Sequence, residues 1–175
     1  RKTRTRSFNA FSSIDYPETA VFRDTRLVTF LRRPTDQPPV RFYERLEPAV
    51  FVLRLVPGMR ADIIPLLAPH YRALVLESFG VGGLPGGEHG EMFAALRHWC
   101  ESGRLAVFTT QVPHEGCDLA VYEVGHAVGE LPGVLEARDM TPEAVAVKLM
   151  WALGQTDDRE KAARLFETPI EYDIM

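Results

Sequence analysis

The chain has 175 residues, of which 46% are hydrophobic and 25% are charged. These proportions are ordinary for a globular protein, and the two cysteines are too few for a disulfide framework. No apolar run is long enough to span a membrane, and no signal-peptide pattern is present, so we expect a cytoplasmic protein without a membrane partner.

Charge is distributed unevenly along the chain. Residues 1–45 carry ten Lys or Arg and five Asp or Glu, a balance of +5, whereas residues 46–175 carry ten and nineteen, a balance of −9. The basic residues 1–6 have no interleaved aromatic side chain, and the rest of the chain is acidic, so we expect no nucleic-acid partner. The change of sign predicts a boundary between two parts of the chain.

The first part is predicted to be small. Residues 21–31 favour one or two short strands, in which four apolar residues are candidates for burial. They are Leu27, Val28, Phe30 and Leu31. Residues 34–39 contain three prolines, which disfavour a helix and remove donors from a strand ladder. We therefore expect a remnant of another domain over 1–33, a linker over 34–47 and an α/β domain over 48–175.

The second part begins with a strand, a short helix and another strand. Residues 50–56 are a β-favouring run that stops at Pro57, as a buried parallel strand would. Residues 62–67 fit a short helix with Asp62 as its N-cap. Residues 72–79 predict the next strand, because they again form a mainly apolar run.

The middle of the second part is predicted to contain a helix, a third strand and another helix. The first of these helices carries five apolar residues at helical spacing and ends at Gly103. The five are Met92, Phe93, Leu96, Trp99 and Cys100. Residues 105–110 form the strand, and the next helix begins near Asp118. Its apolar face consists of Val121, Val124, Val128 and Leu131.

Two helices end the chain. Thr141 is a good N-cap for the first, and residues 144–153 are apolar except for Lys148, which predicts a helix buried on most sides. We expect Lys148 to reach solvent or to pair with a carboxylate. Asp157 is followed three residues later by Glu160, a capping-box variant that predicts the start of the last helix.

Alternating strands and helices with short loops predict an α/β fold, a small parallel sheet with flanking helices. Ligands of such sheets bind beside the carboxyl ends of the strands. Three loops meet this condition, at 57–60, 79–87 and 111–116.

The second loop is the richest in glycine, with five between residues 80 and 87. It does not match a dinucleotide-binding motif, because the third glycine of that motif would fall on Pro85 and the next strand ends without an acidic residue. We interpret the loop as a place where the backbone approaches a small ligand or a neighbouring subunit, and a flexible connector is the alternative.

Other residues with reactive side chains do not form a recognisable site. The five histidines lack metal-ligand spacing, and we expect His70 and His98 on the surface and His114 in a loop. Cys100 is predicted to be a reduced core thiol, and Ser78 lacks the G-x-S-x-G elbow. We therefore expect no metal, no cofactor and no nucleophile–base pair.

Several stretches carry a resemblance to a known family. They are Val56-Pro57-Gly58-Met59-Arg60, Glu77-Ser78-Phe79-Gly80-Val81-Gly82-Gly83-Leu84-Pro85, Tyr122-Glu123-Val124-Gly125, Asp139-Met140-Thr141-Pro142-Glu143-Ala144 and Lys148-Leu149-Met150-Trp151. Together they resemble the C-terminal domain of the type I, cytoplasmic branch of the L-asparaginase family over about residues 50–168. Residues 4–17 resemble, more loosely, the end of the family's N-terminal domain.

The resemblance implies a two-domain amidohydrolase that converts L-asparagine to L-aspartate and ammonia. In the family the N-terminal domain carries the nucleophilic Thr and a second Thr-Asp pair with a Lys, and this chain contains neither T-G-G-T nor T-D-T. The resemblance therefore implies no catalytic residue in this chain, which we expect to be inactive alone. Its implied partners are the missing N-terminal catalytic domain and L-asparagine or a similar amino acid.

The resemblance also implies that this domain supplies subunit contacts and loops that close a neighbour's active site or an effector site. The substrate- or effector-binding candidates are Ser78, Gly82, Gly83, Tyr122 and Glu123. A homodimer or homotetramer follows from the same resemblance. The family often has Asn at Gly83 and, in some members, Arg at Glu77, where a carboxylate would repel an acidic effector.

Two other interpretations remain open. The chain also resembles the glutaminase-type subunit of a tRNA-dependent amidotransferase, although the acidic balance of residues 46–175 disfavours a tRNA surface. The second alternative is a stand-alone, non-enzymatic domain that binds an amino acid.

Overall fold

The computed structural model describes residues 1–31, 39–87, 89–121 and 123–174. They fall into two compact units, Arg1–Glu44 and Arg45–Met175. The predicted linker therefore lies partly outside the described residues.

The first unit contains an antiparallel hairpin of β1, Ala20–Arg23, and β2, Arg26–Thr29. Asp24 in the two-residue turn has φ 55°, the left-handed conformation that such turns require. The predicted strands are confirmed, but the predicted burial is wrong for three of its four residues. Leu27 and Phe30 are each 54% exposed and Leu31 is 42% exposed, because two strands alone provide no second layer to cover them.

The second unit is built on a four-stranded parallel sheet. Its strands are β3, Val50–Arg54; β4, Ala73–Ser78; β5, Leu105–Thr110; and β6, Val134–Glu136. The order is β3-β4-β5-β6, and every adjacent pair is parallel. This confirms the predicted small parallel sheet. The fourth strand was not predicted, because three residues after a turn carry no strand periodicity.

Helices cover both faces of this sheet. They are α1, Ile63–Leu67; α2, Glu91–Glu101; α3, Glu123–Gly129; α4, Pro142–Gln155; and α5, Arg159–Glu167. The first three pack on the face that carries Leu76 and Phe108, and α4 and α5 pack on the face that carries Val75 and Val107. Both faces are buried, which explains why the strands read as continuous apolar runs. None of the helices in the described ranges has the length and apolar character of a membrane span.

Helix starts agree only partly with the sequence. Thr141 caps α4 by accepting from Ala144 N, as predicted. Asp62 precedes α1, but its carboxylate accepts from Arg60 and makes no cap bond. The predicted cap Asp157 is wrong by one residue. Asp158 accepts from Lys161 N at 2.9 Å, since its extended backbone aims the carboxylate at the third amide of α5.

Candidate functional site

One side chain ties together the carboxyl ends of the three long strands. Gln111 follows β5, and its Nε2 donates to Leu55 O at 2.6 Å, beyond β3, and to Glu77 O at 2.8 Å, in β4. The loops 57–60, 79–87 and 111–116 therefore start from a single fixed edge of the sheet.

The loop over 79–87, called the glycine loop below, closes on itself at its start. Phe79 N donates to Gly83 O at 3.1 Å, and Gly83 N donates to Phe79 O at 2.8 Å. Gly80 has φ 51° and Gly82 has φ 152°, conformations that side chains other than glycine's rarely adopt. The glycines are therefore needed to make this turn, whatever the loop contacts.

Hydroxyl groups at the strand ends support the glycine loop from below. Ser78 is fully buried at the end of β4, and its Oγ donates to Thr109 O at 2.8 Å. Thr110 Oγ1 donates to Gly80 O and accepts from Val112 N. Ser78 thus fastens two strands together, whereas Gly82 and Gly83 lie in the loop itself.

The start of α3 lies beside the glycine loop, and Leu119 connects the two. A Cβ on Gly82 would lie 2.7 Å from Leu119 Cδ2, and a Cβ on Gly125 would lie 2.3 Å from Leu119 O. Glu123 is the first residue of α3 and is exposed. Tyr122, the remaining candidate, lies outside the described residues. No sequence pattern singled out Leu119, because its contacts come from residues distant in the chain.

A cleft of about 600 Å³ opens on the α2 side of the same edge. Two of the three predicted loops border it, together with the start of α2. Its lining includes the apolar Met59, Phe79 and Leu84 and the charged Arg60 and Glu91. The sequence analysis missed the contribution of α2, since helical periodicity does not reveal which end of a helix faces a cleft.

On the opposite face of the sheet, Glu77 has a partner. Its Oε2 lies 3.4 Å from Arg54 Nη1 on the neighbouring strand, and only 15% of its side chain is exposed. The carboxylate at this position is therefore held within the fold by a cation.

Neither cysteine is an activated nucleophile. Burial raises the pKa of Cys117 to about 12, and the nearby carboxylates of Glu136 and Asp118 add to the shift. Burial likewise raises the pKa of Cys100 to about 11. Both thiols are free and buried, which confirms Cys100 as a reduced core residue. Both stay protonated near neutral pH.

The histidines are dispersed. His70 and His98 lie on the surface, as predicted, and His114 is an exposed loop residue. Within the part of the chain that the structure describes, no three His, Cys, Asp or Glu side chains are grouped so that they could hold a metal ion.

Comparison with known proteins identifies relatives for the whole chain. The family model of the glutaminase/asparaginase C-terminal domain matches residues 49–166. The chain is 37% identical over 174 residues to an L-asparaginase of Thermococcus kodakarensis, and the match covers 99% of this chain and 52% of that protein. It is 34% identical over 181 residues to a polypeptide of the glutamyl-tRNA(Gln) amidotransferase of Metallosphaera sedula, covering 99% and 40%.

Solved structures give the same result. The thermostable L-asparaginase from Thermococcus kodakarensis matches with a TM-score of 0.90 and 34% identity, over 99% of this chain and 52% of that one. L-asparaginase I from Vibrio cholerae shares the fold, with a TM-score of 0.83 and 24% identity over 100% and 53%. The chain thus spans about half the length of these relatives. Since the family model matches well over half of its residues, the chain belongs to the glutaminase/asparaginase C-terminal domain family.

Proposed function

We propose that this chain is the C-terminal part of an L-asparaginase-like amidohydrolase and that it hydrolyses nothing alone. The observation that carries this proposal is the 37% identity to an L-asparaginase over 99% of this chain, at about half of that relative's length. In the reaction a nucleophile from the other part attacks the side-chain amide of L-asparagine, ammonia leaves, and water releases L-aspartate.

The groups at the carboxyl edge support a binding role over a catalytic one. Ser78 and Thr110 donate to backbone carbonyls, and burial keeps the thiols of Cys100 and Cys117 protonated. None of these four groups is activated for nucleophilic attack. The glycine loop instead offers close backbone approach, which a side chain at Gly82 or Gly83 would obstruct.

The α3 start supplies the charge in this proposal. Glu123 is exposed there, and a carboxylate attracts the α-ammonium group of an amino acid. Tyr122 is proposed to contact the same ligand. Ser78 contributes indirectly, because its hydroxyl fixes the end of β4 from which the glycine loop begins.

The first unit supports a further stretch of polypeptide as partner. Phe8 is fully exposed, and Phe22 and Phe30 are 76% and 54% exposed. Residues 1–44 lie outside the matched family domain at 49–166, yet the alignment with the L-asparaginase covers 99% of the chain and so includes them. We propose that a catalytic portion covers these aromatic side chains, since large exposed apolar patches mark interaction surfaces.

The proposal includes a homodimer or homotetramer in the cytoplasm. On α4, Val147 is 59% exposed, and Met150 and Trp151 are only partly buried within their own unit. A second copy of the chain that covers this surface would complete the burial of the helix. The cytoplasmic location follows from the resemblance to the type I branch.

An ammonia-release assay with L-asparagine tests the function. The chain alone is expected to give no turnover, and the chain fused behind the uncovered portion of the Thermococcus kodakarensis L-asparaginase is expected to be active. In the fusion, Glu123→Gln should raise KM, whereas Glu130→Gln, an equally exposed carboxylate just beyond α3, should not. Turnover by the chain alone that survives repurification, and that a substitution in this chain abolishes, would refute the proposal.

A second candidate function has its own support. The 34% identity to the amidotransferase polypeptide of Metallosphaera sedula also extends over 99% of this chain. An enzyme of that kind would release ammonia from L-glutamine, and its activity would depend on tRNA. Comparing L-asparagine with L-glutamine in the fusion, with and without tRNA, separates the two. A stand-alone amino-acid-binding domain would instead bind L-asparagine without any fusion, which calorimetry on the chain detects.

A further inference from the structure

Residues 117–119, called the bridging segment here, lie between the glycine loop and α3. Val81 O, in the middle of the loop, accepts from Asp118 N at 3.2 Å and from Cys117 Sγ at 3.3 Å. The thiol is a lasting donor, because burial holds Cys117 in its protonated form. The segment therefore fixes the loop through its backbone.

The third residue of the segment separates the two elements sterically. Leu119 is 7% exposed, and its Cδ2 occupies the space where a side chain on Gly82 would begin. Its carbonyl oxygen is 2.3 Å from the position of a Cβ on Gly125, so the backbone of α3 rests directly on it. Movement of Leu119 would therefore be transmitted to the loop and to the helix together.

The bridging segment is anchored to the sheet. Glu136 Oε1, at the end of β6, accepts from Leu119 N at 2.7 Å. Cys117 N donates to Arg138 O at 2.8 Å, just beyond the same strand. β6 is itself paired with β5, so these two bonds connect the segment to the core of the fold.

We propose that Glu136 is a positioning residue whose carboxylate holds the bridging segment and thereby sets the spacing between the glycine loop and the start of α3. The inference rests on the proposed function in that these are the two elements assigned to ligand contact. Glu136 itself is half-buried and contacts the segment's backbone. Its role is to fix the distance that a ligand bridging the loop and Glu123 would meet.

Amide hydrogen exchange of the full chain, without any ligand, tests this role. Glu136→Leu removes the acceptor, and exchange in both 79–87 and 123–129 should rise by roughly tenfold while α5 is unchanged. Glu136→Gln keeps an acceptor oxygen and should restore protection. Glu130→Leu makes the same change at an exposed position beyond α3 and should alter neither segment.

Faster exchange in only one of the two segments, or a Gln variant as damaging as the Leu variant, would overturn the proposal. Should Glu136→Leu not fold, Leu119→Ala provides a second measurement. It retains the bond to Glu136 and the carbonyl under Gly125, so exchange should rise in the glycine loop much more than in α3. An equal rise in both would count against the proposal.

The fusion enzyme gives a functional readout that is independent of exchange. Glu136→Leu should raise KM for L-asparagine and leave kcat nearly unchanged, and Glu136→Gln should restore KM. A fall in kcat at constant KM would refute the positioning role. An inactive fusion of the unmodified chain would contradict the proposed function instead and leave the exchange result valid.

Discussion

The ammonium group of Lys148 lies 2.8 Å from Asp173 Oδ2, although only 5% of the lysine side chain is exposed. It also donates to Thr168 O at 2.9 Å and lies 5.8 Å from the centre of the Phe166 ring. A lysine of α4 thus holds the C-terminal residues 168–174 against the layer of α4 and α5. This confirms the expectation that Lys148 pairs with a carboxylate.

Removing the two partners of this ion pair should have unequal effects. Asp173→Ala leaves a buried ammonium group without its counter-ion and should lower the free energy of unfolding by about 3 kcal/mol. Lys148→Met should cost less, because Asp173 is 25% exposed and can be hydrated. Urea denaturation of both variants measures the difference, and an equal or greater loss in Lys148→Met would contradict this account.

The exposed pair between Arg164 and Glu160 provides the control. Their atoms are 3.9 Å apart, and 67% and 77% of the two side chains are exposed. Glu160→Gln should change the free energy of unfolding by less than about 0.5 kcal/mol, because solvent screens such pairs.

Two glycines of α3 should respond oppositely to alanine. Gly125→Ala would place a Cβ 2.3 Å from Leu119 O and should destabilise the fold by about 2 kcal/mol or more. Gly129→Ala meets only Leu119 side-chain atoms at 4.0 Å and should be neutral or stabilising by up to about 1 kcal/mol. Thermal denaturation of the two variants decides, and destabilisation by Gly129→Ala of similar size would refute the steric explanation.

Adjacent threonines of β5 offer a matched test of the loop support. Thr109 Oγ1 is buried without a hydrogen-bond partner among the described residues, so Thr109→Val should be neutral or stabilising by about 1 kcal/mol. Thr110→Val removes the donor to Gly80 O and the acceptor of Val112 N, and should cost about 1–3 kcal/mol. Chemical denaturation measures both, and the reverse order would show that Thr110 does not support the glycine loop.

Stability should fall at alkaline pH because of the two buried thiols. Below pH 9 both thiols are protonated in the folded and unfolded chain alike. Between pH 9 and 11 the unfolded chain loses these protons while the folded chain retains them, since burial raises both pKa values. The free energy of unfolding should then decrease by up to about 1.4 kcal/mol per pH unit for each thiol.

Cysteine-to-alanine variants check the origin of this slope. Cys100→Ala and Cys117→Ala should each flatten the dependence of the unfolding free energy on pH, and the double variant should flatten it most. Other groups titrate in the same range, so the comparison is between variants at each pH. An unchanged slope in the double variant would show that the thiols do not cause it.

Local chemistry was sufficient for much of the second unit. The strand over 105–110 was predicted with its observed bounds, because a run of apolar and β-branched residues suits a strand buried on both faces. The Thr141 cap was also predicted correctly, since it depends on side chains within three residues of one another. The resemblance to the L-asparaginase C-terminal domain was confirmed by the comparisons.

Contacts between distant residues decided the rest. Gln111 joins Leu55 across 56 positions, and Glu136 joins Leu119 across 17, so no local pattern could pair them. The three residues of β6 are a strand only because β5 lies beside them. The sequence by itself determined the elements and the glycines at the carboxyl edge. Only the tertiary structure decided which side chains hold those glycines in place, because hydrogen bonds and steric contacts depend on distance in space.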